Sequence, residues 1–264
     1  MNIYFREMKA SIKSLIIWAA SISFVIVLWM AEFSAFANDD TLMEMFESFP
    51  KDMMKAFGFE AFDITTLTGF LGLIFTYLML VLCIHAILKG NSVIAQEERD
   101  KTVEFTLVLP VRRAKIVTAK LASAVTNCVL LLAFVFGLII AISQPYLPEE
   151  GFVKFFGLLT IGTFILQMLF VSVGVMLGCV LKRYKRSGYL GASLIITLYI
   201  LSIMIDFSDK IDFLKYVTPF RYFSPTMIHG SMELDWLYIS ISLVIISVSL
   251  VSGYLVYRRR DLYI

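Results

Sequence analysis

A chain of 264 residues that is 59% hydrophobic and 17% charged, with a mean hydropathy of +0.83, carries more apolar side chain than a water-soluble core absorbs. The formal net charge is only +2, and the basic clusters fall between apolar runs, where membrane topology accounts for them without a nucleic-acid partner.

A hydrocarbon layer of about 30 Å takes roughly 20 apolar residues to cross as a helix. Six segments meet that length: 14–37, 67–88, 116–143, 152–181, 188–205 and 236–257. The expected fold is an all-α integral membrane protein with six transmembrane helices, forming a single membrane domain without internal repeats or linkers. The first apolar run exceeds the about 7–15 residues of a signal-peptide core, so it is expected to stay as a span.

After the first span comes a polar stretch, 38–63, with seven acids against Lys51 and Lys55. Its apolar residues Leu42, Met43, Met45, Phe46, Phe49, Met53, Met54 and Phe57 recur near the helical period, with Pro50 between two short amphipathic pieces. Two readings stand: a helix pair resting at the headgroups, or an outer cap whose methionines adapt to amphipathic cargo.

The second span leads into Gln96–Lys120, QEERDKTVEFTLVLPVRRAKIVTAK. Asp100 or Thr102 can cap a helix, and Glu104 in its first turn suits the positive end of the dipole. Val103, Phe105, Leu107, Val108 and Leu109 supply an apolar side, and Pro110 ends the helix. Arg112, Arg113 and Lys115 then stand at the entrance of the third span, where an anionic leaflet holds them. The pattern predicts a surface helix of about two turns between two spans.

The fourth span holds Gly174 and Gly178 in GxxxG spacing, which suits close helix packing within the chain. Between the fifth and sixth spans, Thr218–Pro225 reads TPFRYFSP, and its prolines and aromatics suit a short re-entrant or interfacial stretch. Glu32 and Asp206 sit at span ends, and the spans are expected to hold no buried charge, which leaves no acidic cluster for ion coupling. Cys83, Cys128 and Cys179 each fall within an apolar run and behave as small hydrophobes.

Orientation follows from the basic residues. Arg6, Lys9 and Lys13 precede the first span, and seven more lie between Lys89 and Lys120. Lys182, Arg183, Lys185 and Arg186 separate spans four and five, and Arg258, Arg259 and Arg260 close the chain. Most acids fall on the other side, so both termini are expected in the cytoplasm. His85 and His229 then belong to opposite faces.

Enzyme signatures are absent: no HExxH, no CxxC and no GxSxG. Glu97-Glu98 suggests the EExxxR of intramembrane proteases, but the arginine position holds Thr102. No GxxxxGK[ST] loop occurs, so ATP-driven work would need a partner's ATP site.

The stretch IAQEERDKTVEFTLVLPVRRAKIVTAK resembles the segment between spans two and three of ABC-2 type permeases, the membrane subunits of ABC exporters. The matching places hold Glu97-Glu98, Asp100-Lys101, Thr102-Val103-Glu104, Leu107-Val108-Leu109, Pro110-Val111-Arg112-Arg113 and Lys120. Where that family more often has glycine, this chain has Lys101. In outline the resemblance extends to the six spans, the large segment after span one, the Pro219–Phe223 run and the Arg260-Asp261-Leu262 ending.

The resemblance implies a coupling helix, with Glu97, Glu98, Asp100, Thr102, Val103, Glu104, Leu107, Pro110, Arg112 and Arg113 engaging a separate ABC ATPase. It implies no cofactor in this chain, with ATP and magnesium in that partner, a second permease copy or paralogue, and a bacterial cell membrane. The cargo would be amphipathic: a peptide, a lipid-like molecule or a drug. The alternative is a non-transporting sensor or immunity protein that binds a toxic peptide at its outer face.

Overall fold

The structure, a computed structural model, describes residues 3–36, 62–99, 113–146, 150–181, 184–207 and 209–259. The described residues hold helices and no strand. We number the helices α1 (Ile3–Phe36), α2 (Leu67–Arg99), α3 (Arg113–Ser143), α4 (Phe152–Val180), α5 (Tyr184–Phe207), α6 (Pro219–Tyr222), α7 (Pro225–Ser231) and α8 (Trp236–Arg259). A 3₁₀ turn, Gln144–Tyr146, follows α3, and a longer one, Asp209–Tyr216, follows α5. Six of the helices are long and apolar enough to cross a membrane.

These six alternate in direction, so one end of the bundle carries the first residues of α1 and the last of α8. Lys9, Lys13, Lys115, Lys185, Arg186 and Arg258 lie at this basic end, whereas Glu150, Glu233 and Asp235 lie at the opposite, acidic end. Helices α2 and α4 form the central pair. In each, more than 60% of the most apolar window is buried by protein, against 17% in α1, α5 and α8. The peripheral helices expose rows of large apolar residues such as Ile16, Phe24, Leu28, Leu190, Ile200, Val244 and Val248, as surfaces facing lipid do.

Close approach of α2 and α4 depends on glycine. A methyl group at Gly174 would overlap the Ile87 carbonyl, and one at Gly90 would overlap that of Val171. A methyl at Gly178 would press on Ile94 at 3.0 Å. The GxxxG spacing thus serves contact within the chain, through small residues that let backbones meet.

At the basic end the helices run beyond the expected spans. Helix α2 continues from the expected stop at 88 through Lys89, Gly90, Asn91 and Ser92 to Arg99. Those polar residues look like a terminus, but Asn91 is buried and accepts a hydrogen bond from the Ser187 hydroxyl at 2.5 Å. Helix α1 likewise starts at Ile3 rather than 14, because Glu7 and Ser11 are buried while Lys9 and Lys13 remain exposed.

The aromatic stretch after α5 re-enters the bundle. The Phe220 ring meets Phe170 at 5.4 Å and Tyr199 at 5.4 Å. Phe223 lies against Gly162, and His229 meets Phe155 and Phe62. The chain therefore climbs α4 from 170 to 155, about 22 Å at 1.5 Å per residue. Pro219 and Pro225 start the two short helices, and the Ser224 hydroxyl accepts from the Met227 amide as the cap of α7. The stretch thus turns back between the helices of the bundle.

Candidate functional site

The segment expected to receive a partner hangs between Arg99 at the end of α2 and Arg113 at the start of α3. Asp100, Thr102, Val103, Glu104, Leu107, Pro110 and Arg112 lie outside the described residues, as does most of the acidic stretch 38–63. Glu97 and Glu98 fall on the last turn of α2. What the structure does describe is how the two legs of this segment are held.

Lys120 joins them. It lies seven residues into α3, and Val93 lies six before the end of α2, so the two face each other at similar distances along their helices from Arg113 and Arg99. The Lys120 Nζ donates to the Val93 carbonyl at 2.5 Å, and the whole side chain is buried. The Glu7 carboxylate of α1 approaches the same ammonium at 3.5 Å and also meets Arg6 at 3.3 Å. Lys120, within the expected span 116–143, corrects the expectation that the spans hold no buried charge, and Glu7 is buried ahead of the expected first span. By sequence they belong with the inner basic and acidic residues near the helix ends, but α1 and α3 pack with these two facing inward. Burial of either charge alone would be costly; together they neutralise each other.

Further polar contacts continue this strap along α1 and α3. The Tyr4 hydroxyl donates to Thr126 at 3.1 Å, and the Asn127 amide donates to the Ser11 hydroxyl at 3.2 Å. On the other side of α3, Arg113 donates to the Arg258 carbonyl at 3.4 Å, and the Thr118 and Tyr254 hydroxyls lie 2.7 Å apart. Arg113 therefore sits where a cation suits the negative C-terminal end of α8. Asn91 and Ser187 fasten α2 to the start of α5.

The whole base of the α2–α3 hairpin is thus tied to α1, α5 and α8 by side chains. These contacts are short, and several of them are buried. Of the expected site residues, Arg113 alone has its side chain described. Lys120 was visible as part of the motif but not as its keystone, and Glu7 carried no signal, being distant in sequence.

Elsewhere among the described residues, no group of three or more His, Cys, Asp and Glu side chains is placed to hold a metal ion. His85 is buried in α2 near Trp18 and Cys128, whereas His229 packs at the acidic end, so the two do not share a site. A cavity of about 470 Å³ opens beside α7, lined by residues that include Tyr222, Met227, Ile228, Glu233 and Asp235.

Comparison with individual curated proteins finds no significant match. The profile of the family described as ABC-2 family transporter protein matches residues 1–262.

Proposed function

The chain belongs to the ABC-2 transporter family, and we propose that it is the permease subunit of an ATP-driven exporter, coupled through residues 97–113 to a separate ATPase. Members of this family are membrane components of transporters and normally work with an ABC ATPase. The single observation that supports a coupling role in this chain is the fastened base of the α2–α3 hairpin. Lys120 links both legs, and further contacts carry the assembly to α1, α5 and α8.

In this reading both termini and the basic end face the cytoplasm of a bacterial cell, in keeping with the positive-inside rule. The ATPase binds ATP and magnesium. Val103 and Leu107 insert into its groove, while Glu97, Glu98, Asp100, Glu104, Arg112 and Arg113 set register by charge. Thr102 starts the coupling helix and Pro110 ends it. Closure of the ATPases on ATP pushes this helix, and the hairpin moves as a unit. Two permease copies, or this one and a paralogue, enclose a path for an amphipathic cargo.

The test is co-purification in mild detergent from the native membrane. The native chain should bring a Walker-motif ATPase with it, and the Val103→Asp, Leu107→Asp variant should lose that partner. Absence of any ATPase, even after crosslinking, would contradict the proposal.

A further inference from the structure

We propose that Glu7 and Lys120 are positioning residues that make the N-terminal helix α1 move together with the α2–α3 hairpin. The inference rests on the coupling role proposed above and adds to it the part played by α1.

Helix α1 is peripheral. Only 17% of its most apolar window is buried, and Ile12, Ile16, Phe24, Val27 and Leu28 all face away from the bundle. Apolar packing alone holds such a helix loosely, because lipid tails solvate its outer face as well as protein does. Its inner third differs. Within residues 4–11, Tyr4, Glu7 and Ser11 each make a polar contact with α3.

Glu7 is the charged member of that row, and its partner Lys120 is also the residue that bonds to the α2 backbone. One ammonium therefore joins three helices at the base of the segment expected to take the load. A buried ion pair seldom adds net stability over well-packed apolar side chains. Its presence here fits a demand for geometry: the carboxylate can satisfy the ammonium only when α1 keeps its height against α3.

The surroundings of the pair reinforce that fastening. Arg6 approaches the same Glu7 carboxylate at 3.3 Å from the more exposed side, and Lys89 of α2 lies within its electrostatic reach. Ser11, one turn further along α1, receives the Asn127 amide of α3 and holds the same two helices in register.

The experiment uses the permease with its ATPase in lipid nanodiscs and pulsed-EPR distances in the nucleotide-free and ATP–vanadate states. Spin labels go on cysteines replacing exposed Lys13 on α1 and Lys115 on α3, with Cys83, Cys128 and Cys179 replaced by alanine. The continuous-wave spectrum of the Lys115 label alone reports the response of the hairpin to nucleotide. In the native background, vanadate should change the 115 spectrum and leave the 13–115 distance narrow and unchanged.

In Glu7→Gln, which preserves shape and should fold, the ATPase should still bind and the change in the 115 spectrum should persist. The 13–115 distribution should widen and change between states. Glu7→Asp, which keeps a carboxylate for Lys120, should give a narrower distribution than Glu7→Gln. A Glu7→Gln protein whose 13–115 distance stays narrow in both states would overturn the proposal. Failure of any ATPase to assemble on the native chain would instead overturn the coupling reading, and this inference with it.

Discussion

Gly174 of α4 meets the carbonyl of Ile87 in α2 so closely that a methyl group on its α carbon would overlap the oxygen. The clash is with backbone, which has nowhere to move without separating the two central helices. Gly174→Ala should therefore destabilise the bundle by about 1–3 kcal/mol, the usual cost of overpacking. Gly137 provides the control, because among the described residues a methyl group added there would meet no atom within 4 Å apart from its chain neighbours and its own helix backbone. Gly137→Ala should be neutral or slightly stabilising, since alanine is the better helix former. Thermal unfolding in detergent distinguishes them.

Removing one member of the buried ion pair should cost more than removing both. Lys120→Met leaves the Glu7 carboxylate buried, with the half-exposed Arg6 beside it and Lys89 within electrostatic reach. Loss of a buried partner typically costs about 3–5 kcal/mol, and these two cations should hold this case to the lower end. The double variant Glu7→Gln, Lys120→Met should regain most of that loss. A double-mutant cycle on unfolding temperature measures the coupling, and additive effects would contradict the pairing.

The re-entrant stretch should be reachable at its rim and closed at its depth. In a background lacking the native cysteines, Ser231→Cys should react rapidly with a water-soluble maleimide, since Ser231 is exposed. Thr218→Cys should react only after unfolding, because Thr218 is buried completely. Phe220→Ala, which removes the ring wedged against Phe170 and Tyr199, should open Thr218→Cys to the reagent. The same truncation should lower stability by about 3–5 kcal/mol.

Membrane orientation gives a prediction independent of packing. Single cysteines at Lys154 and Glu233 should label with an impermeant reagent on intact cells. Those at Lys115 and Lys185 should label only after permeabilisation, as expected if the basic end faces the cytoplasm. Labelling in the reverse order would invert the topology and place 97–113 beyond the reach of ATP.

The six crossings were legible because each is a run of apolar residues long enough for a bilayer, a property of composition alone. Their ends were less so. Lys89, Gly90, Asn91 and Ser92 have the look of a loop, yet α2 runs through them because Gly90 permits contact with the Val171 backbone and Asn91 finds Ser187. That pairing joins residues far apart in sequence, and no local pattern announces it. The same holds for Glu7 and Lys120. Lysine at 120 was readable as part of a motif, whereas its burial depends on α1 packing alongside α3. The re-entry of Phe220 was half legible: prolines and aromatics marked an unusual connection, but its depth is set by contact with Phe170. The coupling residues from Asp100 to Arg112 rest on the motif and the family.

The most direct test of the coupling reading is site-specific photocrosslinking in native membranes. A benzophenone side chain would replace Leu107 in one variant and exposed Ser240 of α8 in another. Ultraviolet irradiation should yield an adduct between the Leu107 variant and an ABC ATPase, strengthened or weakened by ATP, and none from Ser240. An ATPase adduct absent at Leu107, or equally abundant at both positions, would contradict the coupling role of 97–113.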